Sequence, residues 1–161
     1  MNLNEFGATC VHAAKGMIPL AALMMLAFAL GTLCKALGTG LYVSSLTQPY
    51  LSPALLPALV FLTAAVVAFS TGTSWGTFAI MIAIAVPLSQ SLEGHLALTL
   101  AAALGGGVFG DHCSPTSDTS IITSMATAND HIDHIRTQMP YALIGGALAT
   151  LAYLVLGAIY A

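Results

Sequence analysis

Long stretches of this chain carry no charge. Residues 17–33, 54–70, 78–88, 96–108 and 141–160 are apolar almost throughout, and every Asp, Glu, Lys and Arg lies outside them. Charged residues make up 6% of the chain, against roughly a quarter in ordinary soluble domains. So little charge would leave a water-facing surface largely apolar, so lipid is the expected solvent. Several of the runs approach the ~20 residues that a helix needs to cross a bilayer. The chain therefore reads as an all-α, polytopic bundle of transmembrane helices forming one membrane domain over residues 1–161.

The same composition excludes several function classes. Lys15, Lys35 and Arg136 are the only fixed cations and the formal net charge is −3, which leaves nothing to hold a nucleic-acid backbone. Cys10, Cys34 and Cys113 are odd in number and scattered, so they build no disulfide framework. The first sixteen residues show no signal-peptide pattern, and insertion is expected to rest on the membrane segments themselves. No enzyme-like spacing appears, and no cofactor is expected.

Along the chain, residues 1–15 are mixed and belong at the surface or the headgroups. Residues 17–33 predict a first membrane helix ending near Ala36, with Lys35 snorkelling to the interface, followed by a connector over residues 42–53. Residues 54–70 and 78–88 are two apolar arms joined by Thr71-Gly72-Thr73-Ser74-Trp75-Gly76-Thr77. Each arm is marginal for a full span, so the link reads either as the tip of a re-entrant hairpin or as an interruption within one helix. In both cases it must face the protein interior, because irregular backbone at membrane depth needs partners. Residues 96–108 are rich in Ala and Gly, which lets helices approach closely. A polar run over residues 110–120 follows, then a short helical run over residues 121–128. Residues 129–138 read as a solvated loop or short surface helix before Pro140, and residues 141–160 as a last span with tyrosines at both ends.

The polar run carries the chemistry. Gly110-Asp111-His112-Cys113-Ser114-Pro115-Thr116-Ser117-Asp118-Thr119 places two carboxylates, an imidazole and several hydroxyls between two helical arms. Pro115 blocks helix continuation. Opened backbone exposes carbonyls of one half-helix and amides of the next, and such ends at midplane are the recurring ion sites of secondary transporters. Carboxylates and hydroxyls suit Na⁺, a hard cation. Asp111 and Asp118 are the proton-coupling candidates, since a poorly hydrated site favours the protonated carboxyl and bound Na⁺ the ionised one. Asp118 is equally suited to cap the following helix. His112 either handles protons or orients Asp111; Ser114, Ser117 and Thr119 supply hydroxyls. Across the other link, Thr71, Thr73 and Ser74 complete the candidate set, with Na⁺ held by Asp111, Asp118, Thr73 and Ser74. Cys113 beside His112, and His131 with His134, fall short of a zinc site, which needs four paired ligands.

The segment from Phe109 to Thr119, with Asp130-His-Ile-Asp-His134 and Thr137-Gln-Met-Pro-Tyr-Ala-Leu143, resembles the NhaC-type Na⁺/H⁺ antiporter family. So do Thr71-Gly-Thr-Ser-Trp-Gly-Thr77, Met17-Ile-Pro19, Leu30-Gly-Thr32 and Leu37-Gly-Thr-Gly40. The resemblance covers most of the chain and implies one repeat of an inverted-repeat transporter, with a re-entrant hairpin tip at residues 71–77 and a discontinuous helix broken at residues 111–119. It implies Na⁺/H⁺ exchange in a cell membrane, multi-pass, of the bacterial inner-membrane kind; organic-anion exchange or drug export are the alternatives within the family. Members of that family are longer, and this chain corresponds to their C-terminal half. An N-terminal half chain or a homo-oligomer is then the expected partner, besides the bilayer, unless the chain is a non-transporting subunit or fragment.

Overall fold

The computed structural model describes residues 3–38, Tyr42, Ser45 and 51–160, and all its regular elements there are helices. They are α1 (Leu3–Ala36), α2 (Leu56–Thr71), α3 (Ser74–Ser91), α4 (Leu96–Cys113), α5 (Asp118–Ala126) and α6 (His131–Ile159). Among the described residues, α3, α4 and α6 are long and apolar enough to cross a membrane, and α2 is a shorter apolar helix. The chain is thus a membrane protein. Residues 42–53 lie largely outside the described set, as does the Lys35 side chain, and with them the expected connector and snorkelling contact.

α1 ends at Ala36 as expected but begins at Leu3, taking in the stretch assigned to the surface. It lies against α3. α2 opens with Pro57 in its first turn, where the missing N–H has no helical partner to lose. It closes on Gly72, whose φ of 66° is the left-handed conformation glycine tolerates best. Thr73 is extended and α3 starts at Ser74, so the link shrinks to two residues. The chain then turns back: Gly94, just past α3, lies against Leu56 at the start of α2. α2 and α3 thus form a helical hairpin rather than one interrupted helix.

α4 returns alongside α2. The two helices run parallel in a fixed register: an added Cβ at Gly106 would overlap the Phe61 carbonyl, one at Gly110 would overlap the Ala65 carbonyl, and Ser114 Oγ donates to Phe69 O at 2.8 Å. Small residues four apart place one helix directly on the backbone of the other. Leu56, Val60, Phe61, Ala64, Met81, Ala85, Leu88, Ala102 and Ala103 form the core among α2, α3 and α4. Phe109 stacks on Phe61 at 5.6 Å, and Tyr153 of α6 meets the same ring at 5.3 Å. At the end where α3 passes into α4, buried Thr99 donates to Ser89 Oγ, which in turn donates to Gly94 O.

α6 departs from the sequence expectation. The charged segment is neither a loop nor a separate surface helix but the first turns of a continuous 29-residue helix. Asp130 caps it, its carboxylate accepting from Ile132 N and Asp133 N, and the helix runs through Pro140. Proline there deprives the Arg136 carbonyl of a helical partner, a loss tolerated in long apolar helices with bonded turns on either side. Only 11% of the most apolar window of α6 is buried.

Candidate functional site

The hairpin tip and the interruption after α4 meet at one end of the bundle. The interruption is narrower than the polar run suggested. α4 continues to Cys113, so Asp111 and His112 belong to its last turn, and only residues 114–117 are non-helical before α5. These polar residues stay helical because the α2 register holds the last turn of α4 in place. Ser114 Oγ satisfies the Phe69 carbonyl at the end of α2. One step on, an added Cβ at Gly72 would lie 2.5 Å from Thr116 O, and Asp118 N donates to Gly72 O at 3.3 Å. Tip and interruption are therefore stapled through main chain.

Asp111 sits at the centre. It is 2% exposed. Its Oδ2 accepts from Thr119 Oγ1 at 3.0 Å, whose oxygen lies 2.9 Å from Ser117 Oγ. Its Oδ1 is buried and has no hydrogen-bond partner among the described residues. Buried polar atoms are nearly always bonded, and an exception calls for an explanation such as a proton or an ion. Ser117 accepts from Ser120 N and so is the N-cap of α5. Asp118 is then the first residue of the helix rather than its cap, half-buried at the end where the helix dipole favours a negative charge.

The remaining candidates fall into two groups. Ser114, Ser117 and Thr119 surround Asp111 or its neighbours, though the Ser114 hydroxyl is committed to Phe69 O. Thr71, Thr73 and Ser74 lie at the tip. The Thr71 hydroxyl turns back to Val67 O at 2.9 Å, and no hydrogen bond joins any of the three side chains to the Asp111 carboxylate. His112 is exposed: its Nδ1 lies 2.9 Å from Val108 O, it lines a groove between α4 and α6, and no hydrogen bond joins it to the Asp111 carboxylate. Two residues outside the candidate set contribute. Fully buried Thr77 ties the tip by donating to Thr73 O, a threonine one turn beyond the link that its spacing could have flagged. Thr116 packs on Gly72. Among the described residues no three His, Cys, Asp or Glu side chains come together as a metal cluster; the site offers carboxylate, hydroxyl and carbonyl oxygens.

A membrane bundle whose interrupted helix holds a buried, half-satisfied carboxylate against a hairpin tip has the build of a helical ion-handling membrane protein. The chain belongs to the Na⁺/H⁺ antiporter family, whose model matches residues 1–158. It is 37% identical over 161 residues to an uncharacterized protein of Haemophilus influenzae, covering 99% of this chain and 31% of that protein. It is 33% identical over 129 residues to an uncharacterized Na⁺/H⁺ antiporter of the same organism, covering 75% of this chain and 28% of the antiporter. It is 35% identical over 108 residues to the arginine/ornithine antiporter ArcD of Halobacterium salinarum, covering 67% of this chain and 22% of ArcD. The chain thus spans less than a third of the length of these relatives. No solved structure matches it significantly.

Proposed function

We propose that this chain carries the cation-coupling site of a Na⁺/H⁺ antiporter, with the Asp111 carboxylate exchanging Na⁺ for H⁺. The observation that carries the reading is the orphaned Asp111 Oδ1, a buried acceptor with nothing to accept from among the described residues. A cation beside it supplies the missing partner, whereas a proton on the carboxyl cancels the buried charge, and the two exclude each other, which is the minimum physics of antiport. Na⁺ would draw its oxygens from Asp111, Asp118, Ser117 and Thr119, with Thr73 and Ser74 reaching the same region from the tip. The short length of α2, 16 residues or ~24 Å, suits a re-entrant hairpin better than a full crossing of the ~30 Å hydrocarbon core.

The site is one repeat's worth. The complete pathway would need an N-terminal half or a second, inverted copy of this chain, in a bacterial inner membrane. A second reading, exchange of an organic solute, is favoured by the likeness to an arginine/ornithine antiporter.

The test is proton movement driven by a Na⁺ gradient in proteoliposomes holding this chain, alone and with an N-terminal half from a longer relative. Asp111→Asn keeps the shape and the bond from Thr119 while removing the charge. We expect Na⁺-dependent proton flux that Asp111→Asn abolishes in folded protein. Flux of equal size in the variant would refute the assignment, and flux driven by arginine or a small carboxylate but not by Na⁺ would move it to the second reading.

A further inference from the structure

The most informative group without a role lies beside the interruption rather than in it. His131 opens α6, where the Asp130 cap fixes the first turn. Its ring reaches back across α5: Nε2 lies 2.8 Å from Pro115 O and Nδ1 3.2 Å from Ser124 Oγ. A carbonyl only accepts, so Nε2 bears the hydrogen and donates. One imidazole therefore ties together the interruption, the last turn of α5 and the start of α6.

We propose that His131 is a positioning residue for the ion site, holding the main chain at Pro115 so that Ser117, Asp118 and Thr119 keep their places around Asp111. This rests on the ion-site reading above. Residues 115–117 hang between two anchors, Ser114 Oγ on Phe69 O and Asp118 N on Gly72 O. Between those anchors the Pro115 carbonyl is held by His131. The Ser117 hydroxyl, two residues on, is the neighbour of Thr119 Oγ1, which donates to Asp111.

Ser124 has one hydroxyl hydrogen and two acceptors, Nδ1 and Ile121 O at 2.9 Å, so the ring and the main chain of α5 share the same hydroxyl.

The test compares this chain with His131→Leu and His131→Gln in proteoliposomes, alone and with an N-terminal half from a longer relative, reading the half-saturating Na⁺ concentration and amide exchange over residues 114–126. Gln can still donate to Pro115 O. Loss of one anchoring hydrogen bond is expected to raise the half-saturating Na⁺ about tenfold in His131→Leu, with faster exchange across α5. In His131→Gln, which keeps a donor, the half-saturating value stays within about threefold of wild type. A folded His131→Leu chain with wild-type half-saturation and exchange overturns the proposal. If that variant does not fold, a folded His131→Gln chain whose half-saturating Na⁺ rises about tenfold despite its donor overturns it instead. Absence of any Na⁺ response in the unsubstituted chain, both alone and with the N-terminal half, would overturn the ion-site reading itself, an outcome visible before any variant is compared.

Discussion

Replacing Gly110 by alanine tests how the helices are held. The added Cβ would overlap the Ala65 carbonyl oxygen and stand 2.8 Å from the Ala65 carbonyl carbon and Cα, where ordinary contact begins at 3.4 Å. All three atoms are backbone, so no side chain can swing aside and α2 and α4 must part. Ser114 is the next step of the same stripe, and its 2.8 Å bond to Phe69 O would be drawn apart with them. Overpacking of this kind costs about 1–3 kcal/mol and loss of the bond about 0.5–1.5 kcal/mol, so Gly110→Ala is expected to destabilise by roughly 2–4 kcal/mol. Gly145→Ala is the control. It lies in the interior of α6 with nothing within 4 Å of an added Cβ, and there alanine is favoured over glycine by up to ~1 kcal/mol. The same chemical change should therefore have opposite signs at the two sites. Reversible unfolding in mixed micelles measures both. Equal stability of the two variants, within ~0.5 kcal/mol, would refute the close-packed register.

Two further perturbations probe the tip and the start of α6. Gly72→Ala combines a left-handed φ with a collision against Thr116; the backbone alone costs about 1–2 kcal/mol, and exchange of the Asp118 amide should accelerate as its acceptor shifts. Asp130→Ala removes the cap of α6, at about 1 kcal/mol, and should deprotect Ile132 and Asp133 in hydrogen exchange while leaving the middle of the helix unchanged.

Much of this organisation was legible from residue pattern. The charge-free runs gave the helices, Gly72 marked the turn, and Pro115 marked the interruption. The polar run misled in its extent, because polarity was taken to mean open backbone: Asp111 stays helical, held where α4 packs on α2, and only residues 114–117 open. Pro140 misled in the same way, since a helix with bonded turns on both sides absorbs one missing N–H. Choosing between hairpin and interrupted helix needed the Gly94–Leu56 contact, which no local pattern encodes. The His131–Pro115 bond reaches back 16 residues from the first residue of α6 to the interruption, and nothing in the spacing announces it.

The α2–α4 register has a mechanical consequence. Two helices whose backbones touch at Gly106, Gly110 and Ser114 cannot slide or roll past each other without collision, so together they behave as a single beam. The beam ends at Ser114, where the main chain first leaves the helix, so the Asp111 carboxyl rides on a rigid frame and only the four residues 114–117 can change its distance to Asp118 and Thr119.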